Sequence, residues 1–193
     1  MKKRSKSVAL CIVGAAAFTL AGCQEEQIDA QAFPDLQSCK AGADLNQFLS
    51  AEECEIAFAE AQQLHVESAP RYDSLQVCED QHGAGACGNE QQAVQGGSGG
   101  IFMPLLTGYL IGNMLSGRNG MSAAQPLYRK AGGGFTNAAG TSAYSSNAGK
   151  AKLNTSQFAK PTKTAGKPPM TKASVASRGG FGKSKTGGRS LGG

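Results

Sequence analysis

IFMPLLTGYLIGNMLSG, residues Ile101 to Gly117, is the longest apolar run that follows the amino-terminal segment of this 193-residue chain. Its reading decides the fold. Taken as a helix, it places Gly108, Gly112 and Ser116 at i, i+4 and i+8, a stripe of small residues that lets helices approach closely. Pro104 is tolerated in a first helical turn. Such a helix would be about 25 Å long, short of the roughly 30 Å core of a bilayer. It could pack on the preceding segment, lie in a membrane interface, or self-associate through its glycine face.

Outward from this run the composition changes on both sides. Before it stands a glycine-rich linker, Gln95-Gly96-Gly97-Ser98-Gly99-Gly100, within residues 91–100. After it, residues 118–193 are Gly, Ser, Ala, Lys and Pro of low complexity, with Tyr128, Phe135, Tyr144, Phe158 and Phe181 at no regular period. Residues 24–100 hold all 14 acidic residues and only two cations, Lys40 and Arg71, whereas residues 118–193 hold 13 Lys or Arg and no carboxylate side chain. The net charge of +5 therefore hides an acidic head and a basic tail. Low apolar content and one-sign charge predict a disordered tail. Its cations suit anionic lipids, lipopolysaccharide, peptidoglycan carboxylates or the chain's own head. Nucleic acid is not expected.

Residues 38–90 carry the clearest helical pattern. Ser50 and Glu53 form a capping box, and Cys54, Ala57, Phe58, Ala61 and Leu64 recur at three- and four-residue spacing up to about Val66. Pro70 stops that helix and makes Ser68–Tyr72 extended. A second helix starts at Ser74 or Asp73 and ends at Gly83, and a helical turn is weakly signalled around residues 33–41. So small a head needs a staple. Cys39, Cys54, Cys78 and Cys87 allow three pairings; Cys39–Cys54 and Cys78–Cys87 are favoured because each closes a short loop beside a predicted helix. Zinc on Cys78, His82 and Cys87, with Cys54 or His65, is the weaker alternative, because tight C-x2-C pairs are missing. His82 reads as a surface residue. In the head, Ala69-Pro70-Arg71-Tyr72 is the best candidate recognition segment, although Arg71 pairing with a carboxylate and Tyr72 packing in the core is an equal reading.

The first 22 residues read as a lipoprotein signal peptide. Lys2, Lys3, Arg4 and Lys6 precede Val8–Leu20, which carries no charge, and Leu20-Ala21-Gly22-Cys23 ends the segment. Cleavage between Gly22 and Cys23 would leave Cys23 to receive acyl chains, two or more of which anchor stably. Gln24, not Asp, follows the cysteine, which favours the outer membrane; the expected location is its periplasmic face rather than the surface, which Gln24 itself does not decide. That export also favours disulfides over metal. Gly182-Lys183-Ser184 is no P-loop, since the position where the first glycine belongs is Ser177. With only His65 and His82 and no placed nucleophile, no catalytic residues are assigned, and no metal or cofactor is expected.

Several landmarks together resemble the YgiB/YjfM-like family of uncharacterised bacterial proteins. They are Cys39, Cys54, Ala69-Pro70-Arg71-Tyr72, Cys78-Glu79, Gly83-x-Gly85-x-Cys87, Phe102-Met103-Pro104-Leu105 with Gly108-Tyr109, Gln125-Pro126-Leu127-Tyr128 and Arg178-Gly179-Gly180-Phe181-Gly182. The resemblance implies an exported, lipoprotein-like character and carries over no catalytic residue. The expected architecture is therefore mostly disordered around a small all-α head. Residues 1–22 would be the signal, 23–37 a tether, 38–90 the disulfide-stapled helical domain, 91–100 the linker, 101–117 the apolar helix and 118–193 the basic tail. The expected role is a non-enzymatic outer-membrane lipoprotein contacting anionic envelope components. The alternatives are an accessory subunit of an envelope enzyme or transport complex, or a metal-binding or redox protein.

Overall fold

A strand, β1 (Gln27–Phe33), opens the fold where a tether was expected. It is followed by α1 (Leu36–Asn46), α2 (Ala51–Ser68), α3 (Leu75–His82), β2 (Cys87–Asn89), β3 (Phe102–Pro104) and β4 (Gly108–Gly112). Five further elements come from the supposed tail: β5 (Ala123–Arg129), β6 (Phe135–Thr136), β7 (Ala143–Tyr144), β8 (Gly149–Asn154) and α4 (Lys172–Ser177), with a 3-10 turn at Thr155–Phe158. This computed structural model describes residues 26–46, 49–90, 100–112 and 123–179. The signal segment, Gly22, Cys23 and Ser116 lie outside them.

The all-α head and disordered tail are thus overturned by a mixed α/β fold. Its centre is a curled, six-stranded antiparallel sheet in the order β7-β6-β5-β4-β1-β8. β1 lies between two strands from later in the chain, pairing Ala30 with Gly112 on one side and with Ala151 on the other. The described part of the apolar run, residues 101–112, holds two strands and no helix. β4 is buried at all five positions, and a strand buried on both faces has no alternation to reveal it. Residues four apart share a face in a strand as well as in a helix, so the Gly108/Gly112 stripe looked the same in either reading.

Each face of the sheet buries its own cluster. Phe33, Tyr109, Ile111 and Ala124 pack against Leu49, Cys54, Ala57 and Ala61, joining the sheet to α2. On the opposite face, Ala30, Ala32, Leu110, Ala123 and Leu127 surround Phe158, with Tyr144 and Leu153 packed against them. β7 and β8 are the two ends of the sheet, yet both reach this second cluster, so it occupies the concave side. The Tyr144 hydroxyl donates to Gln157 Oε1 at 2.6 Å and helps close the gap between the ends. Phe158 explains the small residues around it. A Cβ on Gly112 would lie 2.7 Å from Phe158 Cζ and 2.8 Å from Ile28 Cδ1. Gly108, at φ +152°, has the Phe33 carbonyl oxygen 2.9 Å from where a Cβ would stand.

The helical readings of the head hold with shifted ends. Ser50 caps α2 through the expected capping box with Glu53, worth about 1 kcal/mol. Ser74 caps α3, and Gly83 ends it at φ +96°. Cys39–Cys54 joins α1 to α2 and Cys78–Cys87 joins α3 to β2, the two short-loop pairings. The first closes a 15-residue separation, about 3 kcal/mol in the chain-entropy account. β5 has a protected outer edge where β6 does not cover it. The Ala124 N–H donates to Glu60 Oε2 at 3.1 Å, and two residues on, Pro126 has no N–H to leave open.

Gly112 separates the strand from the helix experimentally. Gly112→Ala should destabilise the protein by about 1–3 kcal/mol through overpacking, whereas in a solvent-facing helix it would stabilise by up to about 1 kcal/mol. Phe158→Leu in the same chain should recover part of the loss, measured as a double-mutant cycle by chemical denaturation.

Candidate functional site

Pro70 sets up the site by ending α2 and turning the chain back beneath the helix terminus. Arg71 is only 4% exposed there. Its guanidinium donates to the Val66 carbonyl at 2.7 Å and the Ala69 carbonyl at 3.2 Å, at the negative end of the α2 dipole. Nε donates to Glu90 Oε1 at 2.6 Å and Nη1 to Thr164 Oγ1 at 2.6 Å. Arg71 therefore pairs with a carboxylate inside the protein and presents no recognition surface. Tyr72 is fully buried. Its backbone exchanges hydrogen bonds with Phe102, while Met170 bonds to the flanking Arg71 and Asp73. The expectation of a recognition segment at these two residues gives way to the core reading.

Both histidines lie beside them. His82 Nδ1 stands 2.7 Å from the Arg129 carbonyl, which can only accept, so Nδ1 carries the proton. Nε2 of the neutral ring then accepts from the Tyr72 hydroxyl at 2.9 Å. His82 is fully buried, not on the surface. His65 Nδ1 meets the Tyr128 hydroxyl at 3.1 Å, and the Tyr128 ring packs edge-on to His82. Burial lowers both histidines from 6.5 to about 4, with the Arg71 charge adding to the effect at His65. The zinc alternative loses its ligands, since Cys78 and Cys87 are joined to each other and His82 is held by Tyr72 and Arg129.

Next to this network is an open cleft of about 350 Å³. Its outer wall comes from the segment expected to be disordered. Pro161, Pro168 and Pro169 keep residues 160–170 extended, apart from a turn at Thr164–Lys167 closed by Lys167 N–H to the Thr164 carbonyl at 3.0 Å. Gly166 supplies the positive φ of +76° that the third position of this turn requires. The turn is docked, because the N–H groups of Thr164 and Ala165 both donate to the Glu67 carbonyl at the end of α2. Lys163 and Lys167 stand on this wall, and Arg178, the C-cap of α4, stands among the lining residues with Pro70 and Met170. Lys163 is 3.2 Å from Glu67 Oε2, shared with Lys160 at 3.8 Å. Lys167 and Arg178 have no carboxylate within 4 Å among the described residues.

A family model described as "Protein of unknown function (DUF1190)" matches residues 27–192. The chain belongs to that family. UPF0441 proteins of Klebsiella pneumoniae, Yersinia pestis and Sodalis glossinidius are 30%, 31% and 34% identical to it. Those alignments cover 92%, 94% and 93% of this chain and 79%, 81% and 81% of the relatives. No solved structure matches. The resemblance drawn from the cysteine, Ala69–Tyr72 and Gln125–Tyr128 landmarks is thereby borne out, and the structure gives those landmarks physical roles. Gln125 donates to the Phe158 and Ala159 carbonyls, Tyr128 contacts both histidines, and Met103 is buried with Tyr128 and Ala69.

Sequence reasoning missed Glu90, Thr164, Lys167 and Arg178 as one neighbourhood. The signal available for the last two was the one-sided charge of residues 118–193; nothing local marked Thr164. Two outcomes check the network. Arg71→Met should cost about 3–5 kcal/mol, because it leaves Glu90 buried and unpaired, and Arg71→Met/Glu90→Leu should recover part of that. Stability should also fall as pH drops through the window from 6.5 to about 4. There the unfolded chain protonates His82 and the folded one does not, so about 2 kcal/mol is lost by pH 5. Denaturant titrations of His82→Gln should show a flatter pH dependence.

Proposed function

We propose that this protein is a non-enzymatic lipoprotein of the outer membrane, acylated at Cys23, whose carboxyl-terminal half contacts anionic components of the envelope. The carrying observation is that the tail's positive charge is displayed on a fold. Lys152, Lys160 and Lys163 lie near Asp29 or Glu67, so part of the acidic–basic asymmetry closes on itself. Lys150, Lys167, Lys172 and Arg178 are exposed and without a carboxylate within 4 Å among the described residues. Cations without carboxylate partners on a folded backbone attract an anionic surface more selectively than a flexible chain, since only side chains and not the backbone lose ordering entropy on contact. The motif Leu20-Ala21-Gly22-Cys23 supports the anchor, and Gln24 supports outer-membrane sorting. No helix among the described residues is long and apolar enough to cross a membrane.

Two measurements test this. Cys23→Ala should move the protein from the membrane to the soluble fraction of the producing cell. The leaderless, non-acylated chain should bind phosphatidylglycerol-containing vesicles at low salt and lose that binding steeply as salt rises. Neutralising Lys150, Lys167, Lys172 and Arg178 to Gln should weaken it at least about tenfold, at roughly 1 kcal/mol per cation near the surface. Equal binding by the two proteins would sink the reading.

A further inference from the structure

We infer that the cleft between the Thr164–Lys167 turn and Arg178 is a binding site for a phosphomonoester carried on a sugar or a lipid headgroup. This deepens the proposed contact with anionic envelope components and rests on it. The charge count at the cleft sets the ligand's charge. Lys163 shares the single carboxylate of Glu67 with Lys160, whereas Lys167 and Arg178 have no carboxylate within 4 Å among the described residues. At least two cations without a carboxylate partner favour a dianion over a monoanion, and a phosphomonoester is close to doubly charged at neutral pH. A single carboxylate would leave one cation unmatched.

The donor types agree with this assignment. Arg178 donates through Nη1 to the weak acceptor Met170 Sδ at 3.5 Å and leaves the other donors of its planar fork for phosphate oxygens, and Lys167 offers a compact charge. The exposed Thr162, also on the lining, supplies a hydroxyl donor. Arg71 lies at the same cleft but is spent on Glu90, Thr164 and two carbonyls, so it braces the wall. Apolar groups of Pro70, Pro161, Ala138 and Met170 complete the lining and suit the C–H face of a ring or a glycerol backbone. At about 350 Å³ the cleft is at the small end of ligand pockets, sized for one headgroup and not for a length of polymer.

The test uses the full folded chain with Cys23→Ala and two matched double variants. Lys167→Gln/Arg178→Gln removes two cations from the cleft, and Lys40→Gln/Lys152→Gln removes two cations that sit beside Glu55 and Asp29, away from the cleft. Calorimetry with N-acetylglucosamine 1-phosphate should show binding that the cleft variant weakens at least about tenfold and the control variant leaves within about twofold. Uncharged N-acetylglucosamine and glucuronate should bind at least about tenfold more weakly than the phosphate. Vesicles containing phosphatidate, a monoester, should be preferred over phosphatidylglycerol, a diester, if the phosphate is lipid-borne; preference for the free sugar phosphate alone assigns the soluble source.

Glucuronate binding as tightly as the sugar phosphate overturns the phosphomonoester. Equal losses in both variants, or vesicle binding without any sugar-phosphate or phosphatidate preference, overturn the cleft and leave the diffuse anionic contact standing. No binding to any anionic probe or vesicle overturns both. A circular dichroism melt of each variant within a few degrees of the parent shows that the fold is retained, so that a loss reports on the site.

Discussion

The guanidinium of Arg71 is the contact on which the organisation turns. Five donors in a fixed plane reach groups that the sequence separates widely: Val66 and Ala69 at the end of α2, Glu90 beyond β2, and Thr164 near the carboxyl terminus. A lysine could not span them, because it has one charged atom and no fork. The arginine is buried, so its desolvation is offset only while all these partners are in place. That requirement holds the acidic half and the basic half in one register. It also fixes the Thr164–Lys167 turn, and with it the wall of the cationic cleft.

The concave side imposes a second constraint. Phe158, from just beyond the last strand, inserts among Leu110, Leu127 and a set of alanines and occupies the space a curled sheet would otherwise enclose. The barrel-like interior is therefore part of the core. The cleft lies instead outside the sheet, lined by the end of α2, a proline-rich turn and cations. The buried tyrosine–histidine pairs belong with the core as well, since neutral His82 and His65 satisfy hydroxyls in place of water.

How much of this was legible in the sequence depended on local signals. Ser50, Glu53, Pro70, Ser74 and Gly83 act through their own backbone neighbours, so α2 and α3 could be read directly. The short-loop disulfides were legible for the same reason. β1 was not, because Gln27–Phe33 uses two alanines facing Phe158 where a strand signal needs larger apolar groups. Ala123 and Ala124 of β5 looked like low complexity because the packed interior has room only for small residues, which composition alone cannot distinguish from small residues in solvent, and β8 is mostly exposed and carries little apolar signal. At the site, Arg71 and Tyr72 stood out correctly as important, but the sequence carried no sign that Glu90 and Thr164 would bury the arginine. The cations of the cleft were visible as a charge excess and not as a place.

The position of β1 between β4 and β8 has a consequence for the order of events in folding. The first strand of the chain cannot complete its pairing until residues 149–154 exist to lie beside it. Arg71 likewise waits for Thr164, 93 residues later. Contacts of such separation are slow to close. The helices and their two local disulfides can mature early, while the sheet remains an open template with an unpaired strand. A chain interrupted before β8 is thus an unfinished product with a sticky edge, more apt to be degraded or to aggregate than to work as a shorter version of itself.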